Sequence, residues 1–333
     1  MGKLHPKDLK KLLRCIKGDS RVIIPPMVGY DSGVHLMDDK WLVVSTDPCI
    51  GVPEKWFGWL LIHYAASDVA LFGAKPQFCT INLLGPPATK PSTFQKVMRQ
   101  ACKAAEELDM AIVTGHTGTY EGLSTLVGIC TAYGLVEKEK LKTPGKAKPN
   151  DFIVCTKPLG LEIAVNLALM NRSLAEKLFG EKRTRELSRL IRLQSSVEEA
   201  LALAEISGVH AMHDLTEGGL VASLNEMAEA SGVGFRIEFE KIPICHEAKK
   251  LKEAFGLSDG QLLSMSSTGT VLVAVSPQAK GEIEKVLKEH SLEACFLGIF
   301  TEDKRRVLVK NGRERRFPEK AEDPYERILS GAL

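Results

Sequence analysis

The stretch from Val43 to Pro76, VVSTDPCIGVPEKWFGWLLIHYAASDVALFGAKP, constrains this chain more than any other. It opens as a short apolar strand (Trp41, Leu42, Val43, Val44) that reaches Ser45, Thr46 and Asp47. Pro48, with no N–H to donate and a fixed φ, is expected to end that strand. A helix is expected from about Glu54, with Trp56, Phe57, Leu60, Tyr64 and Ala65 on one face. It carries Asp68 and closes at Gly73 and Pro76. One carboxylate then sits at a strand end and another in the helix behind it, an arrangement able to share a magnesium ion that carries phosphates. The plainer alternatives are an Asp-Pro turn and a solvated helix residue. Asp68 fits the second poorly, because Ala65, Ala66, Val69, Ala70 and Leu71 surround it and an uncompensated charge there is costly.

With 333 residues, the chain is long enough for two domains, each with its own core. Charged residues are 26% and apolar residues 44%, the profile of a globular protein rather than a disordered one. The net charge of +2 and the scattered basic residues argue against a dedicated nucleic-acid face. The one basic run, Lys304, Arg305 and Arg306 with Arg313, Arg315 and Arg316, reads as a solvated hairpin around Asn311-Gly312. No apolar run approaches the roughly 20 residues of a membrane span. The N-terminus reads as a short amphipathic helix and not as a cleavable signal. The eight cysteines show no CxxC and no zinc-type spacing. Cys79, Cys130, Cys155 and Cys295 lie in apolar strands as small buried hydrophobes, and Cys15 is expected to be buried on the first helix. A reducing cytoplasm is the expected compartment.

Strands and amphipathic helices alternate in both halves, an α+β pattern. Gly29 and Gly33 bracket Asp31, which suits either close backbone approach to a ligand or a plain turn. Residues 91–108 form an amphipathic helix, and Met110 to Thr114 a buried strand entering a Gly115-His116-Thr117-Gly118-Thr119 loop. The polar connector EKEKLKTPGKAKPND is the expected boundary, giving domains 1–148 and 149–333. In the second half, His213-Asp214-Leu215-Thr216-Glu217-Gly218-Gly219 leads into a helix that Asp214 or Thr216 is expected to cap. No loop matches a P-loop or a GxGxxG fingerprint, so a nucleotide would be held through metal-bridged carboxylates.

Taken in order, Gly29-Tyr30-Asp31, Ser45-Thr46-Asp47, Ser67-Asp68-Val69-Ala70-Leu71-Phe72-Gly73-Ala74-Lys75-Pro76, Thr114-Gly115-His116-Thr117 and His213-Asp214-Leu215-Thr216-Glu217-Gly218-Gly219-Leu220 resemble the PurM-type ATP-binding superfamily. Its members include aminoimidazole ribonucleotide (AIR) synthetase, thiamine-monophosphate kinase, selenophosphate synthetase and the hydrogenase-maturation protein HypE. The run from Leu224 to Gly234, followed by Ile242-Pro243, most resembles the HypE branch. The resemblance implies a two-domain PurM-like fold whose N-terminal domain contributes strands to a β-barrel shared by two subunits of a homodimer. It implies ATP along that interface, near Gly29, Thr46, Asp47, Asp68, Gly115 and Thr117, with Mg²⁺ on Asp31, Asp47 and Asp68. The second domain would close over the site and bring Asp214 to the phosphates. The implied activity is phosphorylation or activation of an oxygen on a small-molecule or partner-borne acceptor. Phosphoryl transfer needs charge neutralisation and alignment more than a protein nucleophile.

Two positions depart from the pattern. His116 stands where the family usually has Asp, and imidazole is a poorer Mg²⁺ ligand than carboxylate. His116 is therefore assigned a catalytic role, touching phosphate or substrate or donating a proton, with a residue merely satisfied in a turn as the alternative. The chain ends Ile328-Leu329-Ser330-Gly331-Ala332-Leu333 without HypE's terminal cysteine, so dehydration of a tail thiocarboxamide is not expected. Selenophosphate synthesis fits poorly for want of a reactive cysteine in a glycine-rich N-terminal loop. The second expectation, of a different class, is a catalytically idle nucleotide-binding dimer that serves as a maturation scaffold.

Overall fold

The computed structural model describes Leu4 and Pro6–Ala332. In chain order the elements are α1 (Pro6–Leu13), β1 (Val22–Ile24), β2 (Ser32–Met37), β3 (Lys40–Cys49), α2 (Phe57–Leu71), β4 (Phe78–Gly85), α3 (Pro91–Glu107), β5 (Ala111–Thr119) and β6 (Val127–Val136). There follow β7 (Phe152–Cys155), α4 (Leu161–Met170), α5 (Arg172–Phe179), α6 (Glu181–Leu187), α7 (Val197–Ala204), β8 (Val209–Asp214) and α8 (Gly219–Ser231). The remainder are β9 (Gly234–Glu238), α9 (His246–Ala254), α10 (Asp259–Leu263), β10 (Val271–Val275), α11 (Lys280–Glu289), β11 (Cys295–Thr301), β12 (Arg306–Lys310), β13 (Arg313–Arg316) and α12 (Tyr325–Ser330). The chain forms two compact units, Leu12–Leu141 and the described residues of Met1–Lys11 with Lys142–Leu333. The division falls inside the polar connector, just before Lys142. That segment is no solvated tether: Leu141, Lys142, Thr143 and Pro144 are buried, and Lys142 Nζ donates to the carbonyls of Ile206 and Val209. Burial holds the Lys142 amine below its ordinary value.

Unit Leu12–Leu141 is built on a six-stranded sheet of order β1-β2-β3-β6-β4-β5. Alternation along β6 is strict, with Gly128, Cys130, Ala132 and Gly134 buried on the face that α2 covers. A Cβ on Gly128 would lie 2.8 Å from Phe57 and 2.9 Å from Leu61, so glycine here lets α2 sit directly on the sheet. The helix is buried on every side except at Tyr64. The expected single apolar face understated it, because α3 packs against the side facing away from the sheet, where Gly58 N donates to Gln100.

Two expected breaks are absent. The strand before Pro48 continues to Cys49, pairing with β6 through Pro48↔Ile129 and Cys49↔Gly128. Proline is tolerated because β2 pairs with β3 only as far as Ser45, leaving Pro48 with a neighbour on one side alone. Residues 115–119 are likewise strand, since β5 stays paired with β4 from Thr80↔Thr114 to Gly85↔Thr119.

The second unit holds a seven-stranded sheet of order β13-β12-β9-β11-β7-β10-β8. Its core joins β7, β8 and β10 to α8 through Ile153, Cys155, Ala211, Leu224, Met227 and Leu272. The charged region 173–193 is broken into α5, α6 and a 3-10 turn, with Gly180 at φ +86 between the two helices. The hairpin at Asn311-Gly312 is present, both residues at positive φ. Cys79, Cys130 and Cys155 are buried as expected and Cys295 is half-buried. Cys15 lies in the turn after α1 and is exposed, because that helix stops at Leu13.

Candidate functional site

The β2–β3 hairpin turns at Asp38, whose φ of +54 is a conformation that aspartate tolerates well. Its register sets Ser32 opposite Ser45, so both hydroxyls lie on the face covered by α2. Ser32 Oγ donates to the carbonyl of Asp68 at 3.0 Å. Ser45 Oγ is 2.8 Å from Asp68 Oδ2 and 3.0 Å from the carbonyl of Asp31, and its single proton serves one acceptor or is shared. Asp68 is only 3% exposed. The structure thus brings the backbone of Asp31 and the carboxylate of Asp68 to one serine, with Gly29 at φ +79 just before.

Asp47 lies two residues beyond Ser45 on the same face, half-buried and opposite Cys130. Burial, and then the Asp47 charge, push the Cys49 thiol well above its ordinary range. Among the described residues, Asp31, Asp47 and Asp68 do not bring three carboxylate oxygens within 4.8 Å of one another. The donors gathered here are all oxygen, the set that suits a hard cation such as Mg²⁺, which keeps several of its waters.

Of the other predicted residues of this unit, Thr46 and His116 face elsewhere, whereas register sets Gly115 beside Ile81 and Thr117 beside Leu83, on the same face as Ser45 and Asp47. Thr46 lies on the opposite face of the sheet, where Thr131 donates to it at 3.0 Å. Register extends that row through Thr80 to Thr114, so four strands each contribute a threonine. His116 lies on this same face, beside Asn82 on β4, exposed, with Nε2 2.5 Å from the Tyr120 hydroxyl. Within one chain it is therefore on the side of the sheet away from Ser45 and Asp68. Gly115 passes close over β4, where a Cβ would lie 2.1 Å from the carbonyl of Ile81, and Thr117 is exposed. β5 is an edge strand exposed along most of its length, with Val113 at 55%.

In the second unit, β8 ends on His213 and Asp214, both buried. His213 Nδ1 is 3.3 Å from Asp214 Oδ1 and Nε2 is 3.1 Å from Glu226 Oε2. Only the doubly protonated ring donates to both carboxylates. Ser223 Oγ donates to the Asp214 carbonyl at 2.6 Å. Neither Asp214 nor Thr216 caps α8. Its N-cap is Gly218, at φ +87 and without a side chain, and the Gly218 N–H donates instead to Asp323 Oδ2 at 3.2 Å. A β-strand running up to the motif pairs Asp214 with Val271, and its carboxylate does not cap the start of the helix. Glu162 is tucked nearby, accepting from Ser266 Oγ at 2.6 Å and from the Thr268 N–H at 2.8 Å. Burial raises the Glu162 carboxyl, and burial with the Glu162 charge pushes Asp323 up to about 7. Glu162 and Asp323 have no local sequence signal, since one opens a helix of alanines and leucines and the other is far along the chain.

Residues 29–136 match the family described as AIR synthase related protein, N-terminal domain, and residues 148–311 match its C-terminal domain. The chain belongs to the AIR synthase related family. Among similar proteins, one from Methanocaldococcus jannaschii that is named for hydrogenase expression/formation is 26% identical over 286 residues, covering 84% of this chain and 82% of that one. The selenide, water dikinase of Carboxydothermus hydrogenoformans is 25% identical over 345 residues, covering 93% and 95%. The crystal structure of E. coli HypE, a hydrogenase maturation protein, superposes with a TM-score of 0.73 at 23% identity, covering 86% and 88%. A HypE structure in complex with ATP gives 0.69 at 20% identity, covering 85% and 86%. ThiL complexed with AMPPCP and TMP gives 0.71 at 21%, covering 94% of each chain. The α+β architecture of two domains is the PurM-type fold of this family. No described helix is long and apolar enough to cross a membrane.

Proposed function

We propose that this chain is an ATP- and Mg²⁺-dependent enzyme that transfers or activates through phosphate at an oxygen of a small-molecule or partner-borne acceptor. One observation carries the reading: a carboxylate, Asp68, is 3% exposed inside a largely buried helix and is held by Ser45 beside the Asp31 backbone. A buried carboxylate is costly, and a cation that neutralises it supplies a reason for its burial. Asp31, Asp47 and Asp68 would hold Mg²⁺, in part through its own waters, with Gly29, Thr46, Gly115 and Thr117 against the nucleotide. Asp214 and His116 would act in the transfer step. The relatives named as a dikinase and the ATP-bound HypE support this chemistry.

The active form in this reading is a homodimer. β5 is an exposed edge strand, and His116 lies on the face of its sheet opposite Asp68, so a second copy is the natural source of the imidazole at a given site. The same observation favours the second reading, an idle nucleotide-binding scaffold, because exposed His116 contributes no carboxylate. Isothermal titration of wild type and Asp47→Asn with Mg²⁺-ATP tests the first reading. Binding that the substitution abolishes supports it, and equal binding by both refutes it. Acceptor-dependent ATP turnover separates enzyme from scaffold.

A further inference from the structure

The α8 helix begins without a capping side chain, although its first turn follows directly on the Asp214 loop. Four backbone N–H groups at a helix start lack partners within the helix, and a side chain normally takes one of them. Here that side chain comes from the C-terminal segment. Asp323 accepts from Gly218 N at 3.2 Å through one oxygen and from Tyr325 N at 3.0 Å through the other. The segment behind it is firmly seated: the Tyr325 hydroxyl accepts from Asn166 at 2.8 Å, and Ile328 is fully buried in the core of α4 and α9. Asp323 is therefore a short strut between a fixed helix and the far end of a loop whose near end is Asp214.

We propose that Asp323 is a positioning residue that anchors the Gly218 end of the 214–219 loop from the C-terminal segment, setting the direction of the backbone N–H groups that follow Asp214. It acts through Gly218 and touches no reacting group itself. The loop needs an external anchor because both glycines at its end are at positive φ, +87 and +52, and glycine resists few competing conformations. This rests on the reading of Asp214 as a participant in phosphoryl transfer.

The test uses the full chain as wild type, Asp323→Ala and Asp323→Asn. Amide exchange over residues 214–222 is followed without nucleotide, and Mg²⁺-ATP affinity and turnover are measured alongside. Loss of the anchor is expected to speed exchange at Gly218 and its neighbours about fivefold to tenfold, the size of a lost helix cap. Asn, which keeps one acceptor oxygen, is expected to recover part of the protection. Nucleotide affinity and turnover fall in step with the exchange. Exchange within twofold of wild type in both variants overturns the proposal. If Asp323→Ala does not fold, Asp323→Asn decides alone. A wild type that binds no Mg²⁺-ATP refutes the transfer reading, while the exchange measurement still decides the anchoring.

Discussion

Ser45 Oγ lies 2.8 Å from Asp68 Oδ2, joining a strand of the six-stranded sheet to the helix that covers it. The bond places a hydroxyl donor on a carboxylate that is almost wholly withdrawn from solvent. Ser45→Ala removes that donor with little change of shape. Loss of a donor to a buried charged acceptor costs about 1–3 kcal/mol. Urea denaturation is expected to show a loss of that size, and titration a weakened Mg²⁺-ATP affinity. Unchanged stability would show that the Ser45 hydroxyl contributes no net stabilising bond to Asp68.

Asp323, with its carboxyl pushed up to about 7 from 3.8, makes stability depend on pH. Burial is the main cause, reinforced by Glu162, which itself faces Glu217, while the N–H groups of Gly218, Tyr325 and Ser266 pull the other way. The folded state holds a proton that the unfolded chain releases at 3.8. The resulting stabilisation is complete below 3.8 and is lost as pH rises through about 7. Denaturation of Asp323→Asn across that window should give a flatter profile than wild type.

Lys157 is buried against Glu199 and donates to the carbonyls of Leu193 at 3.1 Å, Ser195 at 2.7 Å and Gly269 at 2.7 Å. Lys157→Met strands a buried carboxylate and frees three carbonyls, a loss of about 3–5 kcal/mol. Lys157→Met combined with Glu199→Leu should recover part of it. A double-mutant cycle by chemical denaturation measures the difference.

His116 is exposed and its ring is bonded to Tyr120 on the surface. His116→Ala is therefore expected to leave stability within about 0.5 kcal/mol of wild type. Nucleotide turnover should fall nonetheless if the imidazole acts in transfer. His116→Asp supplies a harder ligand and should tighten Mg²⁺ binding. Turnover unaffected by His116→Ala would remove this residue from the reaction.

Much of the fold was legible locally. The apolar run that became α2, the amphipathic helix at 91–108 and the Asn311-Gly312 hairpin all express short-range preferences. Pro48 misled because its effect depends on which neighbour a strand has at that point, and the end of β2 decides that. The glycine-rich 115–119 segment reads as loop until β4 is seen to pair with it throughout.

By itself the sequence determined which residues are proposed for the chemistry, three aspartates in the first half and Asp214 in the second, and the order in which their motifs occur. These are properties of residue type and spacing, and they survive without coordinates. The tertiary structure alone decided that Ser45 reaches Asp68, that His116 lies on the other side of its sheet, and that Asp323 caps a helix begun more than a hundred residues earlier. Each of these follows from strand register or from packing between distant segments. A one-residue change of register moves a side chain to the opposite face, and local composition does not specify it.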